Sequence, residues 1–283
     1  MKYKNTKVKV SIGLPVYNGA KTIEKTINSI LVQTFKEFEL IISDNASDDE
    51  TNRICKKFLL KDSRIKYTRQ PNNIGGIPNF EFVLKKAKGR YFKWIGADDW
   101  ISPDFLEVNL QALHSNPNYV ASTSPNCFLG DENNFKKYVN FHLVGKPKER
   151  FVMFFQNAFI SHGTFHSLIR TEIIKNYEQF YSSGLVWDWT VHLFLLSKGE
   201  INRTKQGLVV LGFGISSSKD SWKKLRQKPL EIFIPLYYFS KYTLSLIKNL
   251  NYYEWAYVFV KLLKLNFQAM KSSYMQTIRN LVT

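Results

Sequence analysis

Two adjacent carboxylates close an apolar run, Arg90-Tyr91-Phe92-Lys93-Trp94-Ile95-Gly96-Ala97-Asp98-Asp99-Trp100. Tyr91, Phe92, Trp94 and Ile95 have the aromatic and β-branched character of a buried strand, and Gly89 and Gly96 punctuate its ends. Acids at the carboxyl end of such a strand lie where open α/β sheets bind their ligands. Neighbouring carboxylates repel, so both stay ionised at low cost only when solvated or neutralised by a cation. A hard divalent metal carrying a diphosphate would neutralise them. The other reading is a solvated acidic turn opening the next helix, because Ser102-Pro103-Asp104 has the form of an N-cap followed by proline at the first helical position. The pair alone leaves both readings open.

Other residues could also do chemistry. His162 and His166 stand four apart, a metal-ligand spacing on a helix. Their segment reads as extended, where that spacing holds the rings too far apart for easy chelation. Gly212-Phe213-Gly214 after Val209-Val210-Leu211 has a faint likeness to a dinucleotide loop, but it lacks the third glycine and is discounted.

The elements that must position these groups alternate. Strands are expected at Val8–Leu14, Phe38–Ile42, Ile65–Thr68 and Tyr91–Ile95. Helical spacing of Ile23, Ile27, Ile30 and Leu31 follows the first strand. Ser47 and Glu50, at capping-box spacing, precede a helix holding Ile54 and Phe58, and Pro78–Lys88 reads as the third helix. Such alternation predicts an α/β fold with a mostly parallel central sheet and flanking helices. Beyond Ser102 the sequence gives a helix to about His114, strand-like Tyr119–Thr123 and a polar Gly130–Arg150 loop. Strand-like Thr164–Arg170, helical Trp187–Ser197 and a last strand at Leu208–Leu211 follow. From about Trp222 onward the chain reads as helical.

The chain has 283 residues, 44% of them hydrophobic and 15% aromatic, which suits a folded domain with a sizeable core. Cys55 and Cys127 form neither a metal spacing nor a disulfide framework, which suits a reducing cytosol. No long apolar segment follows the basic residues at the amino terminus, so no signal peptide is expected. The net charge is +17 and unevenly placed: Lys219 to Thr283 holds 11 Lys and Arg against Asp220, Glu231 and Glu254, a net of +8 in 65 residues. This aromatic, basic tail suits an anionic surface, membrane or nucleic acid. Glu231, Pro235 and Lys241 interrupt its apolar residues, so it is expected to lie on a membrane rather than to span one.

The motifs together resemble the family 2 glycosyltransferases of GT-A fold. They are Leu14-Pro15-Val16-Tyr17-Asn18 after strand one, Ser43-Asp44-Asn45-Ala46-Ser47-Asp48 after strand two, Asn73-Ile74-Gly75 with Asn79, and Gly96-Ala97-Asp98-Asp99. His162-Gly163-Thr164-Phe165 through Trp187-Asp188-Trp189 to Lys198-Gly199 is similar to the acceptor half of that family. The resemblance covers roughly residues 8–200, in the family's order. It implies a GT-A domain at 1–221, with a nucleotide-binding half at 1–101 and an acceptor half at 102–221, and a helical C-terminal appendage at 222–283.

The activity so implied is inverting transfer of a sugar from a UDP- or dTDP-sugar to a glycan hydroxyl. The acceptor would be linked to undecaprenyl diphosphate, in bacterial capsule or O-antigen synthesis at the inner face of the cytoplasmic membrane. Pro15, Tyr17, Asp44, Gly75, Asn79 and Asp98 would bind the nucleotide, with Tyr17 under the base, Asp44 accepting from its imide N–H and Asp98 on the ribose. Asp99 would ligate Mn²⁺ or Mg²⁺, although Ala97 departs from the strict Asp-x-Asp form. Asp188 would be the base that deprotonates the acceptor, with Trp187 and Trp189 giving sugar-stacking surface or desolvation and His162 bordering the acceptor or diphosphate. Trp187 stands where the family commonly has a second acid. The alternatives are a basic nucleic-acid-binding module and a nucleotidylyltransferase. The first lacks an RRM, KH or helix-turn-helix pattern, so no nucleic acid is expected; the second wants a Gly-rich phosphate loop that Tyr17-Asn18-Gly19-Ala20 does not supply.

Overall fold

A computed structural model describes residues 8–137, 141–157, 164–178, 187–212, 234 and 236–282, with side chains at 135–137 and 272–282 excepted. Ten strands are described: β1 (Val10–Val16), β2 (Phe38–Asp44), β3 (Ile65–Arg69), β4 (Tyr91–Trp94), β5 (Trp100–Ile101), β6 (Tyr119–Thr123), β7 (Asn126–Phe128), β8 (Leu168–Arg170), β9 (Glu200–Arg203) and β10 (Val209–Leu211). Seven of them form the central sheet in the order β3-β2-β1-β4-β8-β6-β9, parallel except at β8, which runs against both neighbours. A small sheet, β5-β10-β7, stands beside it.

The helices are α1 (Ile23–Leu31), α2 (Thr51–Leu59), α3 (Gly76–Lys86), α4 (Phe105–Ser115), α5 (Pro147–Gln156), α6 (Thr171–Ile174), α7 (Trp187–Lys198), α8 (Tyr237–Leu246) and α9 (Tyr252–Val282). Buried on both faces, β1, β2 and β4 read as nearly continuous apolar runs, as expected of parallel strands covered by helices. One core cluster gathers Ile12, Leu14, Ile27, Phe38 and Phe105; the other gathers Trp94, Phe154, Leu193, Phe239 and Val258. The C-terminal helices therefore share a core with the domain. Trp189 lies 5.7 Å from Phe239 of α8, and Lys148 pairs with Glu254 of α9 at 2.8 Å.

Four local expectations differ from the structure. β1 extends to Val16 and takes Pro15 into the strand; pairing with β4 stops at Gly13, so the missing proline N–H costs no ladder bond on that side. Ser47 does not cap α2, whose N-cap is Glu50, but instead accepts from the Asn18 N–H at 2.9 Å. The 164–170 stretch is a strand only from Leu168, because Ser167 donates back to the Thr164 carbonyl at 2.6 Å and closes a turn. The polar 130–150 stretch holds a short 3-10 turn at Glu132–Lys137 and the start of α5 at Pro147.

Candidate active site

The strand order reverses around β1, with β2 and β3 on one side and β4 on the other, and this opens a crevice at the carboxyl ends of β1 and β4. A cleft of 670 Å³ lies there, with Pro15, Tyr17, Phe80, Asp98, Leu129 and Trp187 in its walls. The β1 and β2 loops are laced together across its edge. Asn18, at φ +52°, accepts from the Asp48 N–H at 3.0 Å, Gly19 N–H donates to Thr51 Oγ1 at 2.9 Å and Ala20 N–H donates to Asp49 Oδ2 at 3.0 Å. Backbone donors that a phosphate loop would turn to its ligand are thus taken by side chains. Tyr17 remains exposed on the cleft, as a stacking platform requires.

The acid pair divides differently from the expectation. Asp99 is 6% exposed, and both its oxygens are engaged: Gly96 N–H donates to Oδ2 at 3.0 Å and Gly212 N–H to Oδ1 at 2.9 Å. Lys93 lies beneath it in the core, donating to the His166 carbonyl, and His166 Nδ1 lies 3.4 Å from Asp99 Oδ2. Burial pushes the Asp99 carboxyl up, against the Gly212 and Gly96 donors and the Lys93 charge, and pulls the Lys93 ammonium down to about 7. Asp98 instead lines the cleft. Asp98 thus stands at the cleft wall, while Asp99 is buried behind it and tied to the loops on either side. Thr26 of α1 fixes the same turn by donating to the Ala97 carbonyl at 2.9 Å and the Asp99 carbonyl at 2.7 Å.

Gly212 completes the arrangement from 113 residues away. A Cβ there would lie 2.2 Å from Asp98 Oδ2 and 2.4 Å from its Cγ. Gly212→Ala should therefore displace the Asp98 carboxylate and weaken metal-dependent nucleotide binding by about 10²-fold, with the melting temperature held near wild type. Calorimetry with UDP and Mn²⁺ checks this; unchanged affinity would separate Gly212 from the site.

Three residues expected at the nucleotide lie around the carboxyl end of β2 and the start of α3. Asp44 is 0% exposed and accepts from Ser47 N–H at 2.8 Å and from the Tyr67 hydroxyl at 2.7 Å, with Arg69 at 3.4 Å. Asn79 is buried, accepts from Ser43 Oγ at 2.6 Å and donates to the Ser43 carbonyl at 2.9 Å, which clamps α3 to β2. Gly75, at φ +90°, ends the turn before α3, a backbone region open to glycine, and its carbonyl accepts from Asn45 at 3.2 Å.

On the acceptor side, Trp187 faces the cleft and packs on Phe80 and Phe165 at centroid distances of 5.0 and 5.1 Å. Trp189, two positions along α7, turns away to Phe154 and Phe239. Asp188 stands between them on the first helical turn, partly buried. Burial raises its carboxyl to about 6, against the N–H groups of Trp189 and Asp188. His162 lies outside the described residues.

The donor set bears on the metal. Among the described residues no group of three or more His, Cys, Asp or Glu side chains gathers. A carboxylate at the cleft wall, such as Asp98, fits a cation that keeps waters and binds mainly to a diphosphate. Lys93, Phe80 and Leu129 were not singled out in the sequence, and Gly212 figured there only in a discounted dinucleotide-loop likeness. A lysine inside a buried strand run was the one available signal.

A helix-covered, mostly parallel sheet with a cleft at its switch point and Asp98 in the cleft wall after β4 is the architecture of an α/β domain that binds its ligand at the strand ends. The family model of Glycosyl transferase family 2 matches residues 11–177, and the chain belongs to that family. Glycosyltransferase GlyA of Streptococcus pneumoniae serotype 4 is 27% identical over 179 residues, 63% of this chain and 24% of GlyA. The GalNAc(5)-diNAcBac-PP-undecaprenol beta-1,3-glucosyltransferase of Campylobacter jejuni is 30% identical over 179 residues, 62% of this chain and 57% of that protein. The matched region thus spans less than two thirds of either relative. Among solved structures, S. aureus TarS 1-349 in complex with UDP-GlcNAc superposes with a TM-score of 0.59 at 19% identity, over 80% of this chain and 67% of that one. Mannosyltransferase PcManGT from Pyrobaculum calidifontis, in complex with GDP-Man and Mn²⁺, gives 0.56 at 12% identity, over 98% and 88%. These likenesses establish the GT-A fold.

Proposed function

We propose that this protein is an inverting glycosyltransferase that moves a hexosyl or N-acetylhexosaminyl group from a UDP- or dTDP-sugar to a hydroxyl of a lipid-linked glycan in bacterial surface polysaccharide synthesis. The observation that carries the reading is the cleft at the β1/β4 switch point, whose walls hold Tyr17, Asp98 and Trp187, the last next to Asp188 on α7. Tyr17 and Pro15 take the base. Asp44, Gly75 and Asn79 hold the floor beneath it through the contacts described above. Asp98 would hold Mn²⁺ or Mg²⁺ on the diphosphate, where the cation offsets the charge of the departing nucleotide. The acceptor hydroxyl attacks the anomeric carbon as Asp188 takes its proton, and the bond from that carbon to the diphosphate oxygen breaks with its electron pair. A carboxyl raised by burial suits a base that works near neutral pH.

Support for the acceptor comes from the Campylobacter jejuni relative, whose name specifies an undecaprenol-linked glycan. Support for the donor comes from TarS, solved with UDP-GlcNAc. The basic C-terminal region would keep the protein at the cytoplasmic membrane where such acceptors lie. Calorimetry of the full chain with UDP, dTDP, GDP and ADP, each with and without Mn²⁺, tests the nucleotide half. UDP or dTDP should bind in a metal-dependent manner. Preference for GDP would overturn the base assignment, and tight RNA binding with no nucleoside diphosphate affinity would overturn the whole reading.

A further inference from the structure

Helix α9 has two apolar faces, and only one is covered. Val258, Leu262 and Leu265 are buried in the core cluster that α9 shares with α5 and α8. At helical spacing on the opposite side stand Tyr253, Val260, Leu263 and Phe267, at 82%, 46%, 55% and 63% exposure. A helix lying on a domain in water normally carries polar residues on that side. Here Lys264 and Lys271 are exposed on the same face as these apolar side chains.

The surface continues into a second feature. A groove of 610 Å³ runs between α8 and α9, lined by Ile234, Tyr237, Leu244, Phe259, Leu263 and Phe267, with Lys241 also in its wall. From Tyr237 to Lys271 the chain carries Lys241, Lys248, Lys261, Lys264 and Lys271 against one acid, Glu254. That acid is paired with Lys148 at 2.8 Å. The surface is thus apolar and positively charged. No helix among the described residues is long and apolar enough to cross a membrane.

We propose that the α8–α9 face docks in the plane of an anionic lipid bilayer, with Leu263 and Phe267 among the acyl chains and the lysines at the headgroups. Interleaved apolar and basic side chains on one helix face are the chemistry of interfacial binding, in which area and charge both contribute. The proposal gives membrane attachment a defined surface, and it stands or falls separately from glycosyl transfer. It also places a lipid phase near the acceptor side, because α8 meets the first turn of α7 through Phe239 and Trp189, one residue from Asp188.

Flotation of the full chain with phosphatidylcholine vesicles, with and without phosphatidylglycerol, tests it. Wild type should float with the anionic vesicles and stay behind with the neutral ones. Leu263→Glu combined with Phe267→Glu should lower the floated fraction about tenfold while metal-dependent UDP binding and the melting temperature stay at wild-type values. Lys264→Glu with Lys271→Glu should weaken binding to the anionic vesicles and leave what remains less sensitive to salt. Three results would overturn the proposal. The first is wild-type flotation by the Leu263/Phe267 variant. The second is equal flotation on neutral vesicles. The third is a wild-type dimer that the Leu263/Phe267 variant dissolves while no vesicle binding occurs, which would give the face to a second copy of the chain.

Discussion

Asp188→Asn should abolish sugar transfer, with a loss of about 10² to 10⁴-fold, while UDP still binds in the presence of Mn²⁺. The amide keeps the size of the side chain and its acceptor oxygen, so the first turn of α7 and the position of Trp187 are preserved. What disappears is the ability to take a proton. The wild-type pH profile carries the same signature. Burial raises the carboxyl to about 6, so transfer should fall as pH drops through that value, where the base becomes protonated.

The same shift makes an opposite prediction for stability. A carboxyl whose pKa is higher in the folded chain than in the unfolded chain favours folding in its protonated form. That contribution is present at low pH and is lost as pH rises from the ordinary carboxylate range through about 6. At pH 7 the ionised Asp188 therefore costs stability, of the order of 2 kcal/mol after allowance for its partial exposure. Asp188→Asn should raise the melting temperature by about 5 °C at pH 7 while removing activity. Wild-type turnover in the variant would take Asp188 out of the mechanism. A fall in melting temperature together with lost UDP binding would make it a structural residue.

The two acids after β4 should separate cleanly under substitution. Asp98→Ala removes the carboxylate that lines the cleft, so metal-dependent UDP affinity should fall by at least about tenfold with little change in melting temperature. Asp99→Asn should do the reverse first. Its amide would present a second donor to the Gly96 or Gly212 N–H, and the Lys93 ammonium would lose its buried countercharge. Removing one partner from such a buried set costs about 3–5 kcal/mol, which corresponds to a loss of about 10 °C in melting temperature. Thermal melts and calorimetry on both variants decide the assignment. If Asp99→Asn keeps its stability and loses only the metal response, the cation belongs on Asp99 and the division drawn from the structure fails.

Much of the frame was legible in the order of residues. Apolar runs of strand length alternating with helical spacing up to Trp94 predicted β1 to β4 and the helices between them. Acids and aromatics at the strand ends marked the carboxyl edge as the site, and Pro15, Tyr17, Asp98 and Trp187 do line one cleft. What chain order did not show at the site is which way a residue faces. Trp187 and Trp189 are two positions apart on a helix, so they point in very different directions, and only the first meets the cleft. Asn79 and Asp44 lie at the right ends of the right elements, yet Ser43 and Tyr67 enclose them.

Chain order by itself determined the alternation of elements, the family and the edge of the sheet where chemistry gathers, because strand and helix periods and turn residues act over a few positions. Only the tertiary structure decided that Asp99 is buried and that Asp98 lines the cleft. That choice depends on a backbone N–H from Gly212, a carbonyl at His166 and an ammonium buried under both. These groups come from elements distant in sequence, and no local pattern encodes their meeting. The same holds for α9, whose periodicity shows two apolar faces, while packing against α5 and α8 decides which of them is left for a partner.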